Sequence, residues 1–217
     1  MENITFNFVE LHEHGGAFRD YLRLRKRLFV DNLGWDIPHD ESFEMDQYDN
    51  PKAYYSLAVL DGEVVGGVRV MPTTAQWGTH SYMLRDAFHG KLIDIPSSLL
   101  QEDVYNPTIW EGTRVVVSDS LRTHRERGAC LSNIMDGMID IVREHHGEQI
   151  MALCPLAMMR ALRQLGYDVD KLGTPYKSEH DGRRYSVLTM PAERTLRNVP
   201  NANYRPQVQT LHAPATA

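Results

Sequence analysis

Residues 53–71 read Ala53-Tyr54-Tyr55-Ser56-Leu57-Ala58-Val59-Leu60-Asp61-Gly62-Glu63-Val64-Val65-Gly66-Gly67-Val68-Arg69-Val70-Met71. Two runs rich in Tyr, Val and Leu flank Asp61-Gly62, a pair that adopts the positive φ angles of a tight antiparallel turn. A hairpin over 53–60 and 63–71 follows, ended by Pro72-Thr73-Thr74. Downstream, 108–117 is a further strand closing on Val115-Val116-Val117. Over 128–146, Leu131, Ile134, Met135, Met138, Ile139 and Val142 recur at helical spacing. A short apolar strand at 149–154 leads to a helix over 155–165, with Pro155 in its first turn and Gly166 as its stop. Strands at 167–172 and 184–190 complete the pattern, the last one after Asp181-Gly182. Upstream, Ile4, Phe6 and Phe8 alternate as in a strand. Gly15-Gly16 breaks the chain, and a helix from 18 to 30 stops at Gly34. Residues 35–52 form a long loop, 82–89 a short helix, and 90–107 carry no readable element. Strands mixed with helices in this order imply an α/β sandwich on a mixed sheet.

The 217 residues carry a formal net charge of −6, with 42% hydrophobic and 24% charged residues. These proportions suit a single globular domain over 1–195, followed by a loose Asn-, Pro- and Thr-rich tail at 196–217. A net acidic chain argues against generic nucleic-acid binding. No apolar run reaches membrane-spanning length and the N-terminus lacks a signal-peptide pattern, so a cytoplasmic protein without a membrane partner is expected. Cys130 and Cys154 form no Cys-x-x-Cys, and the ten histidines show no ligand spacing, so no metal is expected.

The polar residues cluster. Glu44, Asp46 and Asp49 fall within the loop beside Trp35 and Phe43. Arg69, Glu111 and Arg114 interrupt apolar strands, where an unpaired charge is expensive. Either these are strand-edge salt bridges and a solvated acidic loop, or they build a site. A site of carboxylates and an indole suits a cationic ligand. A carboxyl between apolar neighbours, as at Glu111, suits a base with a raised pKa that accepts a proton from an amine.

Leu24-Arg25-Lys26-Arg27-Leu28-Phe29, Leu33-Gly34-Trp35 and Glu44-Met45-Asp46-Gln47-Tyr48-Asp49 together resemble the N-terminal signature of the acyl-homoserine-lactone (autoinducer) synthases. Arg69-Val70-Met71-Pro72-Thr73-Thr74 is similar to that family's strand end, Met83-Leu84 with Phe88 to the segment after it, and Glu111-Gly112-Thr113-Arg114 to its Glu-x-x-Arg strand. The run from Ala157 to Tyr167 is similar to its C-terminal helix–strand unit. The likeness spans roughly residues 18–190. The stretch between Thr74 and Met83 is longer than the pattern. Arg125-Glu126-Arg127-Gly128-Ala129-Cys130 meets the phosphate-loop pattern of general N-acetyltransferases only in part.

The resemblance implies an acetyltransferase-like three-layer α/β sandwich with a mixed, mostly antiparallel sheet. It implies an acyltransferase that acylates the amine of S-adenosylmethionine from an acyl thioester and closes the lactone, releasing methylthioadenosine. Both reactants are substrates, and no cofactor is expected. Glu111 is the expected base, with Glu44 the alternative. Arg25, Phe29, Trp35, Asp46, Asp49, Arg69, Phe88 and Arg114 are expected to bind S-adenosylmethionine or order the loop around it. The acyl donor is expected to be acyl carrier protein, or acyl-coenzyme A, and Arg122, Arg125 and Arg127 would receive the phosphopantetheine phosphate and the acidic surface of the carrier protein at a helix start. Met135, Met151, Ala152, Leu153 and Met158 are expected at the acyl pocket. Alanine at 152, rather than a hydroxylated residue, leans toward an unsubstituted or 3-hydroxy chain. The rival readings are an N-acyltransferase for another amine and a non-catalytic descendant that binds acyl carrier protein.

Overall fold

The structure, a computed structural model, describes residues 1–194; the expected tail at 196–217 lies outside the described residues. Seven strands form one sheet: β1 (Glu2–Asn7), β2 (Tyr54–Leu60), β3 (Glu63–Pro72), β4 (Ile109–Val117), β5 (Gln149–Pro155), β6 (Asp170–Lys177) and β7 (Arg184–Pro191), in the order β1-β2-β3-β4-β5-β7-β6. Every neighbouring pair is antiparallel except β4 with β5. Helix α1 (Leu11–Arg25) packs on one face of the sheet and α3 (His124–Glu144) on the other. The short α2 (Met83–Phe88) precedes β4, and α4 (Leu156–Gln164) packs on β5 and β7. This is the expected three-layer, acetyltransferase-like sandwich.

Strand alternation sorts the core onto the two faces. Val68, Val70 and Ile150 join Ile134, Met138 and Val142 of α3, whereas Tyr55, Leu57 and Met71 join Tyr21 and Leu22 of α1. Gly67 lets α1 approach closely, since a Cβ there would fall 2.5 Å from Leu57 and 2.7 Å from the Tyr21 ring. The hairpin turn is as read, with positive φ at both Asp61 and Gly62.

Four local expectations change. Gly15-Gly16 does not break the chain: both residues lie inside α1, which starts behind an Asn7–Glu10 capping box. Burial of Phe18, Tyr21, Leu22 and Leu24 outweighs the poor helix propensity of the two glycines. After α1 the chain continues as a π-helical turn, Lys26–Asn32, before Gly34 at φ 68°. Helix α3 begins ahead of residue 128, because Thr123 and Glu126 form a second capping box. Residues 167–169 are irregular, and β6 begins only at Asp170.

Two features of β4 position the site. Its parallel pairing with β5 covers only Ile109 to Glu111, after which the strands part. Its register against β3 also shifts, from Arg69↔Thr113 to Gly67↔Val116. This bulge contains Arg114 at φ 56°, a conformation that costs a non-glycine residue on the order of 1 kcal/mol or more. The extra residue turns two successive side chains, Thr113 and Arg114, to the α1 face, and the Tyr21 hydroxyl donates to the Arg114 carbonyl at 2.7 Å.

Candidate active site

On the α1 face, three arginines and three carboxylates close into one buried network. Arg25, at the end of α1, donates to Glu44 at 2.5 Å and to both Asp49 oxygens at 2.7 and 2.8 Å. Arg69, on β3, donates to Asp46 at 2.5 and 3.1 Å, to Thr113 Oγ1 at 3.0 Å, and lies 3.0 Å from Asp49. Arg114 reaches Glu44 at 3.2 Å and Asp46 at 2.8 Å. Arg25, Glu44 and Arg69 are 0% exposed. Such burial is tolerable because every charge meets an opposite one with hydrogen-bond geometry. Burial alone would raise the Asp49 and Asp46 carboxyls, but the arginines more than offset it and hold both below the usual carboxylate range. The loop acids are thus neutralised by arginines of α1, β3 and β4. Their main effect is to pin residues 44–49 onto the sheet.

Beside this network opens a cleft of about 360 Å³, lined by Trp35, Asp46, Tyr48, Thr113, Arg114, Leu153 and Tyr185 among others, with residues 91–95 along one side. Phe29 is not in its lining. It lies behind Trp35, stacked at 5.0 Å and 24°, with the Arg114 guanidinium 5.4 Å from its ring. Phe88 is also outside the cleft, half-buried on α2 against the α1-face core.

Glu111 stands apart from the network. It accepts the backbone N–H groups of Met83 at 2.9 Å and Leu84 at 2.8 Å, so its carboxyl holds the start of α2. It is 1% exposed, and burial raises its pKa to about 7 against those two hydrogen bonds. Its neighbours Met83 and Thr113 line the cleft, which puts the carboxyl directly behind the cleft wall. The alternative base, Glu44, has both oxygens engaged by arginines.

The expected acyl residues divide by strand parity. Met135, Ala152 and Met158 line an apolar cavity of about 30 Å³ on the α3 face, with Gly112, Val115 and Met138. Met151 and Leu153 point to the opposite face: Met151 joins the α1-face core and Leu153 lines the larger cleft. Because successive β5 side chains alternate, the three residues 151–153 are not brought together. The two cavities lie on either side of the sheet where β4 and β5 part.

Arg122, Arg125 and Arg127 are exposed at the start of α3. Arg127 donates to the Leu121 carbonyl at 2.8 Å. The Glu126 carboxylate accepts from the N–H groups of Arg122 and Thr123, both at 2.9 Å, and so occupies part of the helix start that a phosphate would need. Cys130 and Cys154 are buried, and burial pushes both thiols up to about 12. Among the described residues no group of His, Cys, Asp or Glu is placed to hold a metal, and no helix is long and apolar enough to cross a membrane.

Sequence reading missed several residues. Tyr48 lines the cleft and donates to Asp86 at 3.1 Å. Asp86 is fully buried and accepts from Ser81 and Lys91, which fixes the long connection before α2. A charged residue on the apolar side of a short helix was the available signal. Asp181, which accepts from the Trp35 indole at 3.3 Å across 146 positions of chain, gives no sequence signal.

Comparison with known proteins gives the context. The family described as Autoinducer synthase matches residues 9–198. An acyl-homoserine-lactone synthase of Acinetobacter nosocomialis is 28% identical over 168 residues, which is 74% of this chain and 85% of that protein. Among solved structures, TofI in a ternary complex with an inhibitor and MTA superposes with a TM-score of 0.71 at 23% identity, covering 90% of this chain and 94% of that one. The CoA-dependent acyl-homoserine lactone synthase BjaI, with SAM and isopentyl-CoA, gives a TM-score of 0.70 at 22% identity, covering 88% and 82%.

Proposed function

The chain belongs to the autoinducer synthase family, and from that membership we propose how its two cavities divide the reaction. The enzyme is an acyltransferase that makes an acyl-homoserine lactone from S-adenosylmethionine and an acyl thioester. S-adenosylmethionine takes the larger cleft, where the Trp35 and Tyr185 rings suit its sulfonium and ammonium. Arg114, on the same wall, faces its carboxylate.

The α-amine gives a proton, through water, to Glu111. Its nitrogen then bonds to the thioester carbonyl carbon, the carbon–sulfur bond breaks, and the thiolate leaves to be protonated. The substrate carboxylate next bonds to Cγ, the carbon–sulfonium bond breaks, and neutral methylthioadenosine departs. The cleft contributes by folding the substrate so that these atoms meet. The acyl chain passes between β4 and β5 into the apolar cavity beside Ala152. Met135, Met138 and Met158 line that cavity and can repack to admit a chain, as thioether side chains do. No side-chain hydroxyl stands at Ala152, which favours an unsubstituted or 3-hydroxy acyl group. Acyl carrier protein delivers the chain, guided by Arg122 and Arg125, which have no ion-pair partner among the described residues. Arg127 holds the Leu121 carbonyl and supports the same surface.

The observation that carries this reading is the placing of Glu111, a buried carboxyl at the last paired position of β4 and β5, behind the cleft wall formed by Met83 and Thr113. Burial there raises its pKa to about 7, a value that suits a base near neutral pH. The test incubates the enzyme with S-adenosylmethionine and a panel of acyl thioesters on carrier protein and on coenzyme A. Release of acyl-homoserine lactone and methylthioadenosine in equal amounts supports it. Acylated product without methylthioadenosine points instead to a plain N-acyltransferase.

A further inference from the structure

We propose that Asp181, in the turn between β6 and β7, is a positioning residue that sets affinity for S-adenosylmethionine by holding Trp35; this rests on the cleft assignment above. Asp181 is not in the cleft lining. One of its oxygens, Oδ2, accepts both the Trp35 indole N–H at 3.3 Å and the Tyr185 hydroxyl at 2.7 Å. The other, Oδ1, accepts the Arg183 backbone N–H at 3.0 Å. The turn itself is closed by Ser178 N–H to the Arg183 carbonyl at 2.9 Å and Gly182 N–H to the Ser178 carbonyl at 3.0 Å. The carboxylate is therefore fixed before it meets the indole.

Trp35 follows Gly34 on the long loop, and a loop indole has little else to fix its plane. Phe29 stacks on one side of it, and Tyr185 stands at 6.2 Å. Stacking permits sliding and in-plane rotation, whereas one directional hydrogen bond at the ring edge removes both. Asp181 thus makes two aromatic walls of the cleft, Trp35 and Tyr185, a single unit. The same turn also reaches the segment along the cleft's side, with His180 Nε2 3.3 Å from Asp94.

The test is a double-mutant cycle with a readout beyond activity. Asp181→Ala and Trp35→Phe, which keeps a ring but loses the N–H, should each raise KM for S-adenosylmethionine by about 3–10-fold, with the acyl-donor KM unchanged. The double variant should be no worse than the more impaired single, because the indole contact that Trp35→Phe removes is already lost in Asp181→Ala. In ¹H–¹⁵N spectra the three tryptophans give three indole signals, and Trp35→Phe assigns one. That signal should move and exchange faster in Asp181→Ala. Effects that multiply in the double variant, or an unchanged KM in Asp181→Ala, overturn the proposal. So does an unmoved indole signal, which overturns the contact itself whether or not the enzyme turns over. A wild-type enzyme that releases no methylthioadenosine overturns the proposed reaction and the KM claim with it, while leaving the indole signal to report on the contact alone. Should Asp181→Ala not fold, Asp181→Asn, which keeps one acceptor oxygen, should give an intermediate indole shift; a shift of zero overturns the contact.

Discussion

A carboxyl with a pKa near 7 and a guanidinium sealed in a salt-bridge network make opposite demands on substitution. Glu111→Gln keeps the volume but cannot accept a proton from an amine. Turnover should fall by at least about 100-fold, while S-adenosylmethionine still binds with near wild-type Kd by calorimetry. In the wild type, kcat/KM should fall about tenfold per pH unit below about 7, the acid limb of an essential base. A wild-type profile flat from pH 5.5 to 8 would remove Glu111 from the base role. Arg25 is the contrasting case. Its loss leaves Glu44 and Asp49 buried without their partner, so Arg25→Ala should cost about 3–5 kcal/mol in urea unfolding. Arg23, two residues away, makes an exposed pair with Asp20 and lies over the Phe43 ring at 5.2 Å, and Arg23→Ala should cost about 1 kcal/mol. Equal losses would mean that the buried network adds nothing beyond a surface pair.

At the level of elements, α1 carries a correctable weakness. Gly15 and Gly16 lie in its second turn, and a Cβ at either position meets nothing within 4 Å. Neither glycine has the positive φ that would require it. Gly15→Ala and Gly16→Ala should each raise stability by about 0.5–1 kcal/mol, read as a higher Tm with unchanged activity. Thr123→Ala should lose about 1 kcal/mol, because the cap of α3 is the hydroxyl that accepts from Glu126 N–H. These two sites also show what was legible in the chain and what was not. The hairpin, the α3 periodicity and the acidic loop were readable because each is a local pattern. Gly15-Gly16 misled because tertiary burial of the next turns decides that helix. The capping box Thr123-x-x-Glu126 is also a local pattern, but the stronger apolar repeat that defines the helix starts only behind it. The site was readable as a set of charges, yet its wiring was not. The β4 bulge that turns Arg114 toward Glu44 depends on register against β3, and the split of Met151 from Ala152 depends on which face each strand residue takes.

For the whole molecule, the buried acids pull stability in opposite directions as pH changes, and their signs locate its maximum. Glu111 has a folded pKa of about 7, raised from 4.5. The folded state therefore takes up a proton before the unfolded chain does. Stability is lowest above about pH 7, rises as pH falls toward 4.5, and gains on the order of 3 kcal/mol from this group. Asp46 and Asp49 behave oppositely. Their folded pKa values are depressed below 3.8, so their contribution is complete above that value and is lost as pH falls through and beneath it. The two trends meet between about pH 4.5 and 5.5, where Glu111 is protonated when folded and both aspartates remain paired. Unfolding midpoints measured from pH 8 to 3 should pass through a maximum in that interval. Glu111→Gln removes the Glu111 part of the rising limb, since an amide does not titrate. Its midpoint should therefore rise much less from pH 8 to 5, with only the contribution of Asp136 and Asp140, whose carboxyls burial also raises, while the acid loss persists. A variant that keeps the wild-type slope over that range would show that Glu111 is ionised in the folded protein like an ordinary surface carboxylate. It would then have no standing as the base, because a group already deprotonated well below neutrality accepts protons from an amine too weakly to drive acyl transfer.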